Sequence, residues 1–238
     1  MVRPVARHGI LRKLIAENNR GFVAPARKTN IANALRREIE QIGARKADGV
    51  VKILDVGCGD MGIAEILTQQ MPGIEITCVD TYASPANEAG SPKWKEYRQF
   101  DGRTLPFGNA EFDISICIDV LHHAGMEGAE TLLREMLRTS RFQIVKDHFE
   151  TGLVSRTLLQ LADFYGNWGY GVNVPSEYFR EQTWRSVITK SGLEELRRIN
   201  SVRIHSQLLS VVFPSKLHFI SVLTRSGSGG GTIAEPSM

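Results

Sequence analysis

Apolar and polar positions along the chain follow two patterns in turn, one typical of buried strands and one typical of amphipathic helices. Residues 51–54 are apolar except at Lys52, as in a strand that is buried on both faces of a parallel sheet. Residues 63–71 carry apolar side chains at helical spacing, and Pro72 and Gly73 end that helix. The glycine-rich segment between the two runs therefore predicts a strand, a tight turn and a helix.

The same alternation continues toward the end of the chain and predicts one α/β domain. Further strands are predicted at 74–79, 94–100, 112–118, 142–145, 193–204 and 216–224. Helices are predicted from Thr29 or Asn30 to Gly43, over 126–137 and 153–162, and from Glu177, with Ser176 as its cap, to Gly192.

Composition narrows the class of protein without identifying it. The chain has 238 residues, of which 23% are charged, and its formal net charge of +3 is too mild to imply a nucleic-acid partner. Cys58, Cys78 and Cys117 fall in the glycine segment and in two predicted strands, so we expect small core residues and neither a disulfide nor a zinc set. No apolar run is long enough for a membrane helix, and the first residues lack a secretory segment, so we expect a cytoplasmic protein without stable membrane insertion.

The glycine segment predicts a nucleotide-binding loop. Gly57, Gly59 and Gly62 have the spacing that lets a backbone approach a bound nucleotide, and Asp80 has the spacing of an acid that binds ribose hydroxyls. The helix after the loop would point its free N–H groups at the ligand. These residues fit a dinucleotide and S-adenosylmethionine equally well. Asp55 favours the second, because its carboxylate would repel a pyrophosphate and attract an ammonium and a sulfonium.

Four segments of the chain resemble the class I S-adenosylmethionine-dependent methyltransferases. They are DVGCGDMG at 55–62, VD at 79–80, FDGRTLPF at 100–107 and FDISICIDVLHH at 112–123. The likeness covers about 50–146 and is closest to the small-molecule enzymes with a D-V-L-H-H segment after the fourth strand. LRTSRF at 137–142 departs from the usual turn before the fifth strand. The resemblance implies a Rossmann-like three-layer α/β/α sandwich with a seven-stranded, mostly parallel sheet whose last two strands pair antiparallel.

The resemblance also implies roles for residues at the carboxyl ends of the strands, where ligands bind in such folds. Asp101 would bind the adenine amino group and Gly102 would allow its close approach, although an Asp-Gly pair also favours a turn. Asp119 would face the methionine end of the cofactor. The cofactor, S-adenosyl-L-methionine, is expected to contact Asp55, Gly57, Cys58, Gly59, Gly62, Asp80, Thr81, Asp101, Gly102, Asp119 and Val120.

Two polar clusters follow the fourth and fifth predicted strands. His122 and His123 are candidates for orienting an acceptor or removing its proton, because imidazole titrates near neutrality; a helix cap or a packing role is the alternative. Asp147 could orient a histidine or act with it as a base. Lys146 could bind an anionic group of the acceptor, with His148 beside it. No metal is expected.

The segments before and after the motifs described above are expected to cover the site or to lie outside the domain. Residues 1–28 form a basic N-terminal arm, loosely docked or serving as a lid, and the domain spans 29–225. Residues 149–180 are an insertion over the site, where Tyr165, Trp168 and Tyr170 either wall an apolar or aromatic acceptor or form a satellite core. Residues 226–238 are expected to be disordered.

The complete pattern predicts methyl transfer to a small acceptor by a monomer or homodimer, with O- or C-methylation favoured by the histidines and Asp147. A nicotinamide-dependent oxidoreductase would share the glycine turn and Asp80, but it would leave Asp55 and Asp101 unexplained. A non-catalytic scaffold that keeps the cofactor fold is a further alternative. No nucleic-acid substrate is expected, because no N/D-P-P-Y/F segment for a flipped base follows the fourth strand.

Overall fold

The computed structural model describes residues 24–42, 49–82, 97–166, 175, 177–204 and 214–227. Most of the predicted arm and tail, together with Trp168 and Tyr170, lie outside these ranges, as does the side chain of Tyr165. None of the described helices is long and apolar enough to cross a membrane.

Strands and helices alternate through the described chain, as the hydrophobic pattern predicts. The strands are β1 (Val51–Val56), β2 (Ile74–Asp80), β3 (Tyr97–Gln99), β4 (Phe112–Ile118), β5 (Ser140–His148), β6 (Leu193–Asn200) and β7 (His218–Arg225). The helices are α1 (Ala24–Ile42), α2 (Gly62–Gln70), α3 (Leu121–Thr139), α4 (Leu153–Gly166) and α5 (Glu181–Lys190), and a 3-10 turn (Ser215–Leu217) precedes β7.

The seven strands form one sheet in the order β3-β2-β1-β4-β5-β7-β6. Pairing is parallel from β3 through β5, whereas β7 runs antiparallel to both β5 and β6. The strand order therefore reverses between β1 and β4, and the carboxyl ends of these two strands flank the crevice where such sheets bind ligands. The predicted seven-stranded, mostly parallel sheet is confirmed.

A hydrophobic core lies on each face of the sheet, because successive side chains of a strand point to opposite faces. On one face Ile53 packs with residues of α1 and α2, including Leu35 and Leu67. On the other face Leu54 packs with residues of α3 and α5, including Leu133 and Trp184. Helices cover both faces, so the three-layer sandwich is confirmed.

Two predicted helix starts are wrong. Helix α1 already includes residues 24–28, and the hydroxyl of Thr29 donates to the carbonyl of Pro25 inside it, so neither Thr29 nor Asn30 is its cap. Helix α5 begins at Glu181 with Arg180 at its N-cap, not at Glu177. In each case polar residues that could cap a helix lie beside an apolar stripe, but the helix begins at a different residue.

Helix α3 contains a break that matters for the site. Gly125 has φ 69° and ψ 177°, which is not helical, so the turn that starts at Leu121 is set off from the rest of the helix. The apolar stripe predicted from Met126 onward belongs to the second part, and its Met136 is fully buried. His122 and His123 lie in the first turn, directly after the carboxyl end of β4.

Truncating Leu54 tests whether the two-faced core holds the sheet. Leu54 is fully buried, whereas Leu153 on α4 is 79% exposed. We expect Leu54→Ala to lower the free energy of unfolding by about 2–5 kcal/mol. The matched Leu153→Ala change should stay within about 0.5 kcal/mol of wild type in urea titration. Similar losses for both variants would contradict this packing.

Candidate active site

The glycine loop is held by its backbone against the end of β2. The amides of Gly57 and Cys58 both donate to the carbonyl of Val79, at 2.8 and 3.1 Å. Gly57 has φ 77°, and a β-carbon there would lie 2.4 Å from Cγ2 of Val120. Gly59 has φ 56° and open space where a β-carbon would stand. The first glycine is thus required by the fold, and the second leaves room for a ligand against the main chain.

Asp80 connects the loop to the second strand. Its Oδ2 accepts a 2.7 Å hydrogen bond from the amide of Gly59, and its Oδ1 accepts one of 2.7 Å from the amide of Thr81. The side chain is therefore fixed at the carboxyl end of β2. This position fits the predicted acid for the ribose hydroxyls.

Acidic groups converge below the loop. Asp55 is 2% exposed near the end of β1. Burial first, and then the charges of Asp80 and Asp60, raise the pKa of Asp55 to about 7. Lys28 of α1 forms an ion pair with Asp60. A region with this excess of negative charge is suited to a cation and unsuited to a pyrophosphate, so the residues present fit S-adenosylmethionine.

The loop after β3 carries the predicted adenine residues. Oδ1 of Asp101 accepts hydrogen bonds from the amides of Thr104 and Arg103, at 2.7 and 2.8 Å, and these bonds lower the pKa of the exposed carboxyl. Gly102 has φ 78°, and a β-carbon there would lie 3.3 Å from the methyl of Thr81. Asp101 therefore shapes the turn, as the alternative interpretation of the Asp-Gly pair expected, and the adenine contact stays a prediction.

Asp119 lies at the end of β4 in a left-handed conformation, with φ 56°. Its carboxylate forms ion pairs with Arg27 of α1 and, at 2.5 Å, with Lys146 of β5. Burial would raise the pKa of Asp119, but the charges of Lys146, His148 and Arg27 more than offset this and hold it below its ordinary value. Such strained, non-glycine positions cluster at binding sites.

Lys146 lies in the interior, beside two histidines. Its side chain is fully buried, and its ammonium is 3.5 Å from Nε2 of His148 and 3.4 Å from Nδ1 of His218. Burial lowers the pKa of Lys146, and the pairing with Asp119 opposes that effect. Lys146 is enclosed and paired with Asp119, and His148 is likewise buried beside it, so the predicted contact of Lys146 with an anionic acceptor stays a prediction.

His122 and Asp147 form a buried pair between β4 and β5. Nδ1 of His122 donates to Oδ1 of Asp147 at 2.6 Å, and the backbone amide of His122 lies 3.3 Å from Oδ2. Burial would raise the pKa of Asp147, but His122 holds it well below its usual range. Asp147 is fully buried, and its bond to Nδ1 fixes the orientation of the His122 ring.

The imidazole of His122 lies between two carboxylates. Its Nε2 is 3.4 Å from Oδ2 of Asp163. Burial lowers the pKa of His122, but Asp147 and Asp163 more than offset that and raise it to about 10. The two carboxylates therefore favour the charged form of the His122 ring. The ring of His123 is adjacent, with the two centroids 4.1 Å apart, and it is only partly buried.

Asp163 and Tyr178 are the site residues that the sequence did not predict. Asp163 follows Ser155 and Leu159 at four-residue intervals on the inner side of α4, and the hydroxyl of Tyr178 donates to its Oδ2 at 2.5 Å. This four-residue spacing along α4 is the sequence pattern that could have predicted the position of Asp163. Glu150 connects the segments that carry these two residues, because it forms ion pairs with Arg156 of α4 and with Arg180, two residues after Tyr178.

The structure thus brings most of the predicted residues to one edge of the sheet. The residues near the glycine loop are Asp55, Gly57, Cys58, Gly59, Gly62, Asp80, Thr81, Asp101 and Gly102, and those after β4 and at the end of β5 are Asp119, Val120, His122, His123, Lys146, Asp147 and His148. A hydrogen bond with Cys78 and burial raise the pKa of the Cys58 thiol, so Cys58 is a neutral part of the loop. Together the fold and the loop define an α/β domain that binds a positively charged nucleoside cofactor.

Comparison with known proteins agrees with this class. A family model described as "Methyltransferase domain" matches residues 54–141. A search of curated proteins found no match. Solved structures with a similar fold include magnesium protoporphyrin IX methyltransferase from Synechocystis PCC 6803 with bound SAH, at 17% identity, 83% coverage of each chain and a TM-score of 0.56.

Two other solved structures have the same fold at low identity. One is a putative sarcosine dimethylglycine methyltransferase from Galdieria sulphuraria, with 16% identity, coverage of 82% of this chain and 84% of the other, and a TM-score of 0.57. The second is the mitomycin 7-O-methyltransferase, with 17% identity, coverage of 85% and 54%, and a TM-score of 0.58. A match to a methyltransferase domain thus lies at residues 54–141, within the fold that these three methyltransferase structures share.

Two glycine substitutions test which glycine of the loop the packing of the fold requires. Gly59→Ala should cost about 1–2 kcal/mol of unfolding free energy, because only left-handed strain is added. Gly57→Ala adds the same strain and a clash with Val120, so its loss in urea or thermal unfolding should be clearly larger. Equal losses for the two variants would show that Val120 does not pack on the loop as described.

Proposed function

We propose that the chain methylates an oxygen or carbon nucleophile of a small, apolar or aromatic acceptor, which binds beyond the ends of β4 and β5. S-adenosylmethionine supplies the methyl group as an electrophile. The observation that carries the proposal is the partly enclosed cluster of His122, His123 and Asp163: the two histidines follow the end of β4, and Asp163 of α4 lies 3.4 Å from His122. An amine that is already nucleophilic would not need such a polar cluster.

His123 is the residue that we assign to the acceptor's reacting group. His122 and Asp147 are both buried, so neither is placed to take a proton from an acceptor. The His122–Asp147 pair instead positions the first turn of α3, where His123 is partly exposed. Base assistance, predicted for all three residues, is therefore proposed for His123 alone, with the other two as positioning residues.

The size and character of the acceptor are proposed from the residues around this cluster. Helix α4 carries Asp163 into the site, and Tyr178 packs 5.5 Å from the ring of His122, measured between centroids. Aromatic neighbours favour a ring-bearing or apolar acceptor. The solved structures of similar fold include enzymes named for magnesium protoporphyrin IX and for mitomycin, and this supports the same acceptor class here. We propose one domain, a cytoplasmic location and no nucleic-acid substrate.

The acceptor class can be tested with labelled cofactor. The protein would be incubated with methyl-labelled S-adenosylmethionine and separate panels of phenols, apolar alcohols, amines and duplex DNA, and S-adenosylhomocysteine and methylated products would be followed by mass spectrometry. We expect products from the hydroxyl or activated-carbon panels. Products only from amines or DNA would contradict the proposal.

Replacing His123 tests its role with the best acceptor found. His123→Gln should lower kcat by about 10²–10⁴-fold, because a positioned acid or base contributes that much. Binding of S-adenosylhomocysteine should be unchanged. Glu127→Gln, at an exposed position on the same helix, is the control and should keep wild-type kcat. A His123→Gln enzyme with full kcat would remove His123 from the reaction.

A further inference from the structure

The cluster beyond β4 has the composition of a metal site. His122 and His123 each offer a ring nitrogen and Asp163 offers a carboxylate oxygen, and these three ligand atoms all lie within 4.8 Å of one another. Two imidazoles and one carboxylate suit a divalent transition metal such as zinc, iron or cobalt better than a calcium or magnesium ion, which prefers oxygen ligands.

The distances allow an ion between these side chains with little movement. Ligand atoms that are each about 2.1 Å from a tetrahedral ion are about 3.4 Å from one another. Nε2 of His122 and Oδ2 of Asp163 are already 3.4 Å apart. The rings of His122 and His123 are 4.1 Å apart between centroids, and a ring nitrogen of His123 lies within 4.8 Å of the other two ligand atoms.

The buried nitrogen of His122 is a second, independent observation. The side chain of His122 is fully buried, and its Nε2 makes no hydrogen bond of acceptable geometry to any residue that the structure describes. A buried polar atom that lacks such a bond is costly. Its contact with Asp163 is an ion pair at 3.4 Å, so a divalent ion that displaces the ring proton of His122 would bind both ligand atoms directly.

The residues behind the cluster are those that support a metal-binding histidine. Nδ1 of His122 donates to Asp147, which leaves Nε2 as the ligand atom and fixes the ring orientation. The hydroxyl of Tyr178 donates to Oδ2 of Asp163, the oxygen that also faces His122, so the position of this carboxylate is fixed as well. The side chains of Asp147 and Tyr178 are both buried.

A second combination, His122 with Asp147 and His148, fits less well. Its three side chains are all buried. Nδ1 of His122, the atom that faces Asp147, is already used in a 2.6 Å hydrogen bond. The combination with His123 and Asp163 is partly open, so solvent or another ligand can complete the coordination of an ion there.

We propose that His122, His123 and Asp163 bind one divalent transition-metal ion, with Asp147 and Tyr178 holding two of the ligands in place. Binding of the ion does not depend on which acceptor is methylated. Its use in catalysis rests on the proposed function: with the ion bound, His123 would contact the acceptor through the metal and would not itself take the proton.

Direct binding measurements test the proposal without an activity assay. The full chain, stripped with a chelator and desalted, would be titrated with Zn²⁺ by calorimetry and with Co²⁺ by visible absorption. We expect one ion per chain, and Co²⁺ should give absorption bands in the intensity range of a site with nitrogen ligands. No uptake beyond that of a chelator-treated unrelated protein would overturn the proposal, even if methyl transfer is observed.

Two ligand variants and one control locate the ion. Asp163→Asn keeps the shape of the side chain and His123→Gln changes a partly exposed one, and each should weaken binding by at least about tenfold, the lower end of the effect known for outer-shell partners. Glu127→Gln should bind as wild type does. All variants must retain thermal stabilisation by S-adenosylhomocysteine, which shows an intact fold. Unchanged binding in both ligand variants would place the ion elsewhere and contradict the assignment.

Discussion

Carboxylates that are buried or half-buried at the carboxyl edge of the sheet impose the main constraint on this structure. Asp55, Asp80, Asp119 and Asp147 stand at or just after the ends of β1, β2, β4 and β5. A buried charge is expensive unless it is paired or hydrogen-bonded. Asp80 accepts a hydrogen bond from the amide of Gly59. Asp119 forms ion pairs with Lys146 and Arg27, and Asp147 is paired with His122. Burial and two neighbouring acids raise the pKa of Asp55 to about 7, so a cationic ligand beside it would stabilise its charged form.

This constraint divides the edge of the sheet into two halves with different chemistry. The half over β1 and β2 carries excess negative charge close to a glycine loop, which suits a nucleoside that bears positive groups. The half over β4 and β5 is a hydrogen-bonded network in which acids alternate with Lys146, His122 and His148. Asp119 lies between the two, and its pairing with Arg27 connects them to the N-terminal end of α1.

The sequence predicted the parts of this arrangement that local patterns encode. The strand, glycine turn and helix around Gly57 follow from hydrophobic spacing and backbone freedom, and strand ends carry Asp80 and Asp147 to the same edge in any parallel sheet. The start of α1 was mispredicted, because Arg27 and Lys28 resemble a solvated arm until their acidic partners are known. The burial of Lys146 and the approach of Asp163 depend on how β7 and α4 pack, which no local pattern contains.

The most direct test of this account is the pH dependence of S-adenosylmethionine binding. Calorimetry would compare wild type with Asp55→Asn at about pH 6 and about pH 8, on either side of the pKa of Asp55. Asp60 with Lys28 and Asp80 surround Asp55 and are unchanged in the variant. Because the ionised carboxylate attracts the cation, wild type should bind up to about tenfold more tightly at the higher pH. Asp55→Asn should bind more weakly and lose most of that difference. Binding that is as tight and as pH-dependent in the variant, or absent from wild type, would contradict the role of Asp55.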